Sequence, residues 1–156
     1  MRCHNDPKLY TSRVKIRIIT VGEPKLPYAK QGWEEYTKRL SRFHQLQVTH
    51  LSDKWAYDPE RIRAAIGKSY CIALVIDGKQ FTSQELADFL ESRSNQSREI
   101  CFIIGGPEGL PQKIIDTADV HLGLSRLTFP HDLAMLILTE ALYRASAINA
   151  HLPYHK

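Results

Sequence analysis

Two continuous apolar runs constrain the fold of this chain more than any other feature. Cys71–Ile76 and Ile100–Ile104 contain no polar side chain. A strand with one face in water alternates apolar and polar residues, whereas an unbroken apolar run indicates a strand covered on both faces. Strands of this kind are typical of parallel sheets with helices on either side. The two runs therefore predict an α/β fold.

The segments around these runs alternate between strand and helix patterns. Apolar and polar residues alternate at Val14–Val21, Leu46–Val48 and Val120–Leu124, as expected of strands, and Asp77-Gly78-Lys79 is expected to end the strand at Cys71–Ile76. Apolar residues recur at helical spacing over Ala29–Leu40, and His131–Asn149 is a long apolar helical segment. Start signals predict three more helices, one from Asp58-Pro59 to Gly67, one from Thr82 with Glu85 as a capping box, and one from Pro111. This order predicts a mostly parallel sheet with helices on both faces. We expect one domain over residues 14–156, preceded by a polar extension over residues 1–13.

The last predicted helix is apolar around nearly its whole circumference. A helix of this kind has no side suited to water and must be buried. In a chain of 156 residues, a second copy is the natural cover for it. We therefore expect a homodimer.

Composition narrows the class of protein. With 43% apolar and 24% charged residues the chain is not disordered, and no apolar stretch approaches the 20 residues of a membrane span. Three cysteines suggest no disulfide framework, and the polar N-terminus has no apolar segment of a secretory signal. We expect a cytoplasmic protein in a reducing compartment.

Charge is divided unevenly along the chain. Residues 1–68 contain 14 Lys and Arg against 7 Asp and Glu, whereas residues 69–156 contain 7 against 10. This asymmetry is compatible with a basic face for a polyanion, and equally with an ordinary lysine-rich surface.

Several common sites are disfavoured by the motifs present. Pro107 interrupts the glycines at Gly105–Gly109, so neither a dinucleotide-binding motif nor a P-loop is formed. No metal site is expected, because paired cysteines are absent and Pro153 prevents His151 and His155 from sharing a helix face. The pair Gly105-Gly106 permits either a tight turn or the close approach of a ligand to the backbone.

Three segments together resemble one enzyme family. They are Ile103–Leu110, Leu124–His131, and Tyr143-Arg144-Ala145 with the closing Pro153-Tyr154-His155-Lys156. In this combination the chain resembles the bacterial large-subunit rRNA methyltransferase H family of the SPOUT class. The resemblance implies a C-terminal deep trefoil knot, a homodimer, and S-adenosylmethionine-dependent methylation of N3 of a pseudouridine (position 1915) in helix 69 of 23S rRNA.

The resemblance also implies which residues form the cofactor site. By position they are Leu74, Gly105, Gly106, Leu124, Ser125, Arg126, Leu127, Thr128 and Phe129. Apolar side chains and backbone groups suit an adenine ring and a methionine chain. The knot, the cofactor and these positions are expectations from the family.

A second set is expected to meet the target RNA. Arg144, Tyr154 and His155 are predicted to contact the nucleotide, with Arg144 stabilising negative charge and His155 acting as general base; Arg144 could instead be a structural partner of Glu140. Phosphate contacts are predicted for Lys15, Arg17, Lys38, Arg39 and Arg42. Alternative functions are another SPOUT specificity, on a tRNA base or a ribose, and a non-catalytic RNA-binding module.

Overall fold

A computed structural model describes residues 14–96 and 99–155, with side chains as far as Tyr154. The predicted extension at residues 1–13 and the final Lys156 lie outside the described residues. The strands are β1 (Lys15–Val21), β2 (Gln45–Leu51), β3 (Tyr70–Gln80), β4 (Ile100–Ile104) and β5 (Val120–Gly123). The helices are α1 (Pro27–Leu40), α2 (Pro59–Ile66), α3 (Ser83–Asn95), α4 (Gln112–Thr117) and α5 (His131–Asn149).

All the strand pairs in this sheet are parallel, in the order β2-β1-β4-β3-β5. Every strand therefore begins at one edge of the sheet, here called the amino edge, and finishes at the opposite carboxyl edge. The predicted alternation of strands and helices and the parallel sheet are confirmed. The trefoil knot stays an expectation.

Helices cover both faces of the sheet. One core contains Ile16, Ile18 and Phe102 of the sheet packed against side chains of α1, α3 and α5. The other contains Ile19, Cys101 and Ile103 packed against α2 and α4. Both faces of β1 and β4 are thus buried, as their apolar side chains require. All five residues of β4 are buried.

The strand β3 differs from its prediction in two ways. It continues beyond Asp77 to Gln80, because Leu74 and Lys79 both pair with Leu122 and the residues between them leave the ladder. The expectation that Asp77-Gly78-Lys79 ends the strand is therefore wrong. The apolar run is also not buried throughout, since Ile76 is 55% exposed.

The helix α5 packs against both α1 and α3. Eight of its residues are buried, and the others are partly exposed in the single chain. In the part of the chain that the structure describes, no helix combines the length and apolar character needed to cross a bilayer.

Candidate functional site

The three segments predicted to hold the cofactor lie at the carboxyl edge. The strands β5, β3 and β4 are neighbours. Leu124 and the pair Gly105-Gly106 follow the ends of β5 and β4, whereas Leu74 lies within β3, at the point where that strand leaves its ladder with β5. Leu74 and Leu124 are half-buried and pack against the core beneath α5. Residues distant in sequence are thereby brought together near the carboxyl edge, where α/β proteins bind ligands.

The glycine loop after β4 is a tight turn. An ideal Cβ on Gly105 would lie 2.4 Å from the carbonyl carbon of Gly109, so only glycine allows the loop to close. The Gly109 backbone N–H donates to the Gly106 carbonyl oxygen at 2.9 Å. At Gly106 a Cβ would meet only Val21 and Ala56, at 3.7 and 3.8 Å. The turn interpretation is therefore confirmed for Gly105, while Gly106 leaves space beside the backbone.

A second close approach was not predicted from the sequence. A Cβ on Gly78 would lie 2.4 Å from the carbonyl carbon of Leu122, and one on Gly123 would lie 2.6 Å from the Gly78 carbonyl oxygen. The backbones of β3 and β5 therefore touch just before the predicted cofactor loop. In the sequence each glycine is typical of a turn or a strand. The contact between them is visible only in the structure.

The loop after β5 is open to solvent at its centre. Arg126, Leu127 and Thr128 are exposed, and Leu127 is 72% exposed. The Leu127 backbone N–H donates to Ser125 Oγ at 3.0 Å, which forms a short side-chain turn. Phe129 is half-buried. A large exposed leucine in a loop is a side chain available to a ligand or to another subunit.

Arg144 and Tyr154 lie together at the other end of α5. The Arg144 guanidinium donates to Glu140 Oε1 at 2.6 Å and lies 5.0 Å from the centre of the Tyr154 ring. The Tyr154 hydroxyl lies 2.8 Å from the Tyr36 hydroxyl and donates to Glu140 Oε1 at 3.2 Å. Burial, the bond to Tyr36 and the nearby carboxylate raise the pKa of Tyr154 far above its ordinary value. The structural pairing of Arg144 with Glu140 is present; the role of Tyr36 was missed.

The two predicted sets are far apart within one chain. Arg144 is 13 positions after His131, the first residue of α5. At a rise of 1.5 Å per residue this separates them by about 20 Å. Because α5 starts at the carboxyl edge, its end and Tyr154 lie towards the amino edge. The His155 backbone ends the short helix Pro153–His155, and its side chain lies outside what the structure describes.

The five predicted phosphate ligands also lie towards the amino edge, at the start of β1 and the end of α1. Lys15 pairs with Glu99 at 2.9 Å. Arg17 donates to the Ala65 and Ile66 carbonyl oxygens at 2.6 and 2.9 Å, which ties β1 to the end of α2. Arg39 pairs with Glu35 at 2.6 Å, and Lys38 and Arg42 are exposed. The Arg17 side chain is 16% exposed, so most of it is committed to these protein contacts.

Two adjoining clefts open at the carboxyl edge, beside the predicted cofactor segments. The narrower has a volume of about 350 Å³ and lies between Leu26, Pro107 and Pro130. The wider has a volume of about 700 Å³ and extends towards Lys30, His50 and Trp55. None of the nine predicted cofactor residues lines either cleft. Pro107 and Pro130 nevertheless follow directly after Gly106 and Phe129 in the chain.

Asp132 holds the wall of the narrower cleft in place. Its Oδ2 accepts the backbone N–H groups of Lys25 and Leu26 at 2.6 and 2.7 Å, and its Oδ1 lies 3.2 Å from His131 Nδ1. Burial alone would raise the pKa of Asp132, but these donors outweigh it and hold that pKa below its ordinary value. The sequence signal for this role was an acid in the first turn of an otherwise apolar helix.

The described residues contain no group of three or more His, Cys, Asp or Glu side chains placed to hold a metal ion. Two histidines of the first half of the chain instead join neighbouring elements. The His50 ring lies 5.8 Å from the ring of Trp33, and His44 Nε2 lies 2.8 Å from Ser146 Oγ.

Comparison with known proteins identifies the family. The sequence model described as "Predicted SPOUT methyltransferase" matches residues 14–155. A protein of Deinococcus deserti named ribosomal RNA large subunit methyltransferase H is 48% identical over 145 residues, covering 92% of this chain and 100% of the relative. A Streptococcus uberis protein of the same name is 42% identical over 159 residues, covering 92% and 100%.

A solved structure agrees with the fold. A protein of Neisseria gonorrhoeae assigned to a methylase family superposes with a TM-score of 0.54 at 9% identity, covering 92% of this chain and 85% of that one. At that identity the likeness concerns the fold alone. The family match and the two close relatives go further: the chain belongs to the SPOUT methyltransferases, in the family of the ribosomal RNA large subunit methyltransferases H.

Proposed function

We propose that this protein transfers a methyl group from S-adenosylmethionine to N3 of a pseudouridine in helix 69 of 23S rRNA, in the large subunit or the assembled ribosome. The names of its relatives support a large-subunit rRNA substrate. The observation that carries the proposal is the convergence of Leu74, Gly105-Gly106 and Leu124–Phe129 at one edge of the sheet, in a chain of this family. A ribosomal substrate would be met in the cytoplasm, as expected from composition.

The residues at this edge fit the cofactor. Adenine and a methionine chain need apolar contacts, which Leu74, Leu124 and Phe129 offer as half-buried side chains. Gly106 has no side chain to cover its backbone, and a Cβ there would make only ordinary contacts at 3.7 Å or more, so the loop does not crowd this position. When bound, S-adenosylmethionine supplies an electrophilic methyl group on a sulfonium. The pocket residues hold and orient it, which is the main requirement for a displacement reaction.

The second set acts on the nucleotide. Arg144 uses one donor for Glu140 and its side chain is 32% exposed, so other donors remain for a uracil carbonyl oxygen. A positive charge there stabilises the anion that forms as N3 loses its proton. His155 accepts that proton, since its side-chain class titrates near neutral pH. Tyr154 packs against Arg144 and fixes its orientation.

A homodimer brings the two sets together. One face of α5 carries Leu133, Ile137, Glu140 and Arg144 at helical spacing, and these side chains are partly exposed in the single chain. Two copies packed by this face around a two-fold axis, with their helices antiparallel, place the end of one α5 beside the start of the other. Arg144 and Tyr154 of one copy then reach the cofactor segments of the second, which spans the separation of about 20 Å within each chain.

The direct test is methyl transfer to ribosomes that lack the modification. Wild-type protein with tritiated S-adenosylmethionine is expected to label 23S rRNA at one pseudouridine of helix 69, located by mapping the labelled base. The variants Arg144→Ala and His155→Ala should retain cofactor affinity by calorimetry while turnover falls at least ~10-fold, because charge stabilisation and proton transfer are lost. Lys113→Ala, on the exposed side of α4, is the control.

Other outcomes of these experiments would indicate a different function or a different role for a residue. Label on a tRNA base or on a ribose hydroxyl would indicate a different SPOUT specificity. RNA binding without cofactor binding would indicate a non-catalytic RNA-binding module. Unchanged turnover in His155→Ala would remove that residue as the base.

A further inference from the structure

We propose that the two adjoining clefts at the carboxyl edge form one groove that binds single-stranded RNA nucleotides next to the one that is methylated. This inference rests on the proposed function and adds a substrate-binding site to it. The groove runs from Lys30 and Trp55, past Lys25 and Asp53, to Pro107 and Pro130. None of these residues was predicted to contact RNA.

The groove lies where the chain connections of the sheet diverge. From β1 the chain crosses through α1 to β2 on one side, and from β4 it crosses through α4 to β5 on the other. The two helices also cover opposite faces. A crevice between neighbouring strands whose connections part in this way is the usual ligand site of an open α/β sheet. The narrower cleft occupies it, between Leu26 after β1 and Pro107 after β4.

The two clefts share lining residues and reach the residues that directly follow two of the predicted cofactor segments. Glu23, Lys25 and Asp53 line both of them. At the far end, Pro107 and Pro130 immediately follow the cofactor segments that end at Gly106 and Phe129. A nucleotide chain lying in the groove therefore runs towards the segments predicted to hold the cofactor. The two volumes, about 350 and 700 Å³, fall in the range of roughly 300–1,000 Å³ typical of ligand sites.

The chemistry of the walls suits single-stranded RNA. Lys25 and Lys30 supply positive charge for phosphates, and the Lys25 side chain is 75% exposed. Trp55 supplies an aromatic ring, with the Arg61 guanidinium 4.8 Å and the Lys54 ammonium 5.2 Å from its centre. Cations beside an aromatic ring are the combination that binds backbone and bases of single strands. A duplex is too wide for a cleft of this size, whereas the splayed nucleotides of a loop fit.

The acidic side chains in the groove do not oppose this assignment. Asp53 lies 3.2 Å from Lys25, and both side chains are mostly exposed. Exposed pairs of this kind contribute little to stability, so a phosphate can replace Asp53 at Lys25. Glu23 and Asp132 are the remaining acids that line the groove, and Asp132 Oδ2 already accepts the backbone N–H groups of Lys25 and Leu26. Against them stand four cations in or beside the groove, Lys25, Lys30, Lys54 and Arg61.

Hydrogen bonds hold the walls of the groove in place. The backbone N–H groups of Lys25 and Leu26 are fixed by Asp132, and the Gly22 N–H donates to the Leu51 carbonyl oxygen at 2.8 Å. Beneath the wider cleft, His50 Nδ1 lies 2.6 Å from Thr20 Oγ1. A wall fixed in this way needs little ordering when a ligand binds, which favours affinity.

The test compares two double variants with the same change in net charge. Lys25→Gln with Lys30→Gln removes the groove cations, and Lys68→Gln with Lys113→Gln removes two exposed lysines elsewhere. Affinity for ribosomes lacking the methyl group is measured over a range of salt concentrations. The groove variant should bind about 10-fold more weakly, and its salt slope should be smaller by about 2, because two phosphate contacts are lost. The control should match wild type.

A photocrosslinker in place of Trp55 locates the contact. Expected crosslinks map to loop nucleotides within a few positions of the methylated base. Equal binding and methylation by both double variants, or crosslinks only to distant rRNA, would overturn the groove assignment while leaving the methyltransferase function intact. A third result would also overturn it: wild type binds uridine monophosphate and the groove variant does not, while both bind ribosomes with the same affinity. Failure of the proposed function looks different: wild type itself would not methylate rRNA.

Discussion

His44 lies just after α1 and is 4% exposed. Its Nε2 lies 2.8 Å from Ser146 Oγ on α5, so the ring joins the two helices near the amino edge. Burial lowers the pKa of His44 to about 4, against 6.5 for an ordinary histidine, although an interaction with the Val14 backbone acts in the opposite direction. The ring is therefore neutral in the folded protein throughout the range in which a free histidine becomes charged.

This difference predicts an acid-sensitive stability. Below pH 6.5 the unfolded chain binds a proton at His44 that the folded chain does not bind until about pH 4. The free energy of unfolding should therefore fall as the pH falls through this window, by about 3 kcal/mol from this residue at most. Urea unfolding at fixed protein concentration, between pH 7 and pH 4.5, measures the slope.

The variant His44→Gln isolates the residue, because glutamine can keep the bond to Ser146 without titrating. Its stability should be lower at pH 7 but should decline less steeply towards pH 4.5. His151→Gln, which changes an exposed histidine, should follow the wild-type slope. If the unfolding free energies of wild type and His44→Gln changed with pH in parallel, the acid sensitivity would not come from His44.

At the scale of elements, periodicity and caps predicted nearly every helix and strand. The capping box of Thr82 and Glu85 is present in both directions, at 3.1 and 2.7 Å, and Asp58 accepts the N–H of Arg61. These signals are local, so the sequence contains them. The second half of β3 was missed because its pairing depends on Gly78 touching the backbone of β5, a contact between distant segments.

The candidate site likewise has parts that the sequence predicts and parts that it does not. The glycine loop and the loop after β5 follow strands that their apolar side chains reveal, and family resemblance assigned them to the cofactor. The groove was missed, because Lys25, Asp53 and Asp132 come from three connections that only the strand order brings together. The burial of Arg17 in protein contacts was missed too, since a count of charges does not show which ones are already paired.

Neighbouring glycines should respond differently to alanine. Gly105→Ala places a methyl group 2.4 Å from the backbone of Gly109, so the loop must open, and we expect a loss of about 1–3 kcal/mol in the free energy of unfolding. Gly106→Ala makes only ordinary contacts and should leave stability nearly unchanged while it weakens S-adenosylmethionine binding. Chemical denaturation and calorimetry measure the two effects. Equal stability of the two variants would contradict the close approach of Gly105 to Gly109.

At the scale of the whole molecule, the partly exposed face of α5 predicts the assembly. Ile137→Lys puts a charge in the centre of the proposed interface, where burying it without a partner is costly. Wild type should sediment as a dimer and Ile137→Lys as a folded monomer with little methyltransferase activity. Ile76→Lys, which alters an exposed side chain on β3, is the matched control for oligomeric state. A monomeric wild type at micromolar concentration would refute the dimer.

Mixed dimers test whether the start of α5 in one copy and the end of α5 in the other form one active site. Arg144→Ala and Gly106→Ala would each weaken every site of their own homodimer. In a mixed dimer, one site combines an intact cofactor loop with an intact Arg144, so co-expression should restore activity above that of either variant alone. No gain on mixing would place both contributions within a single chain.

The order of the strands in the sheet also governs when each strand can pair as the chain is synthesised. β4 lies between β1 and β3. Among the strands that the structure describes, β3 pairs with β4 and β5 alone, so it has no partner among them until residues 100–104 have been synthesised. Up to that point, of the described strands, β1 and β2 alone can pair, and the apolar side chains of β3 have no paired neighbour to pack beside. Folding on the ribosome is therefore completed late, when the central strand enters between two others already present, and such non-local pairing is intrinsically slow.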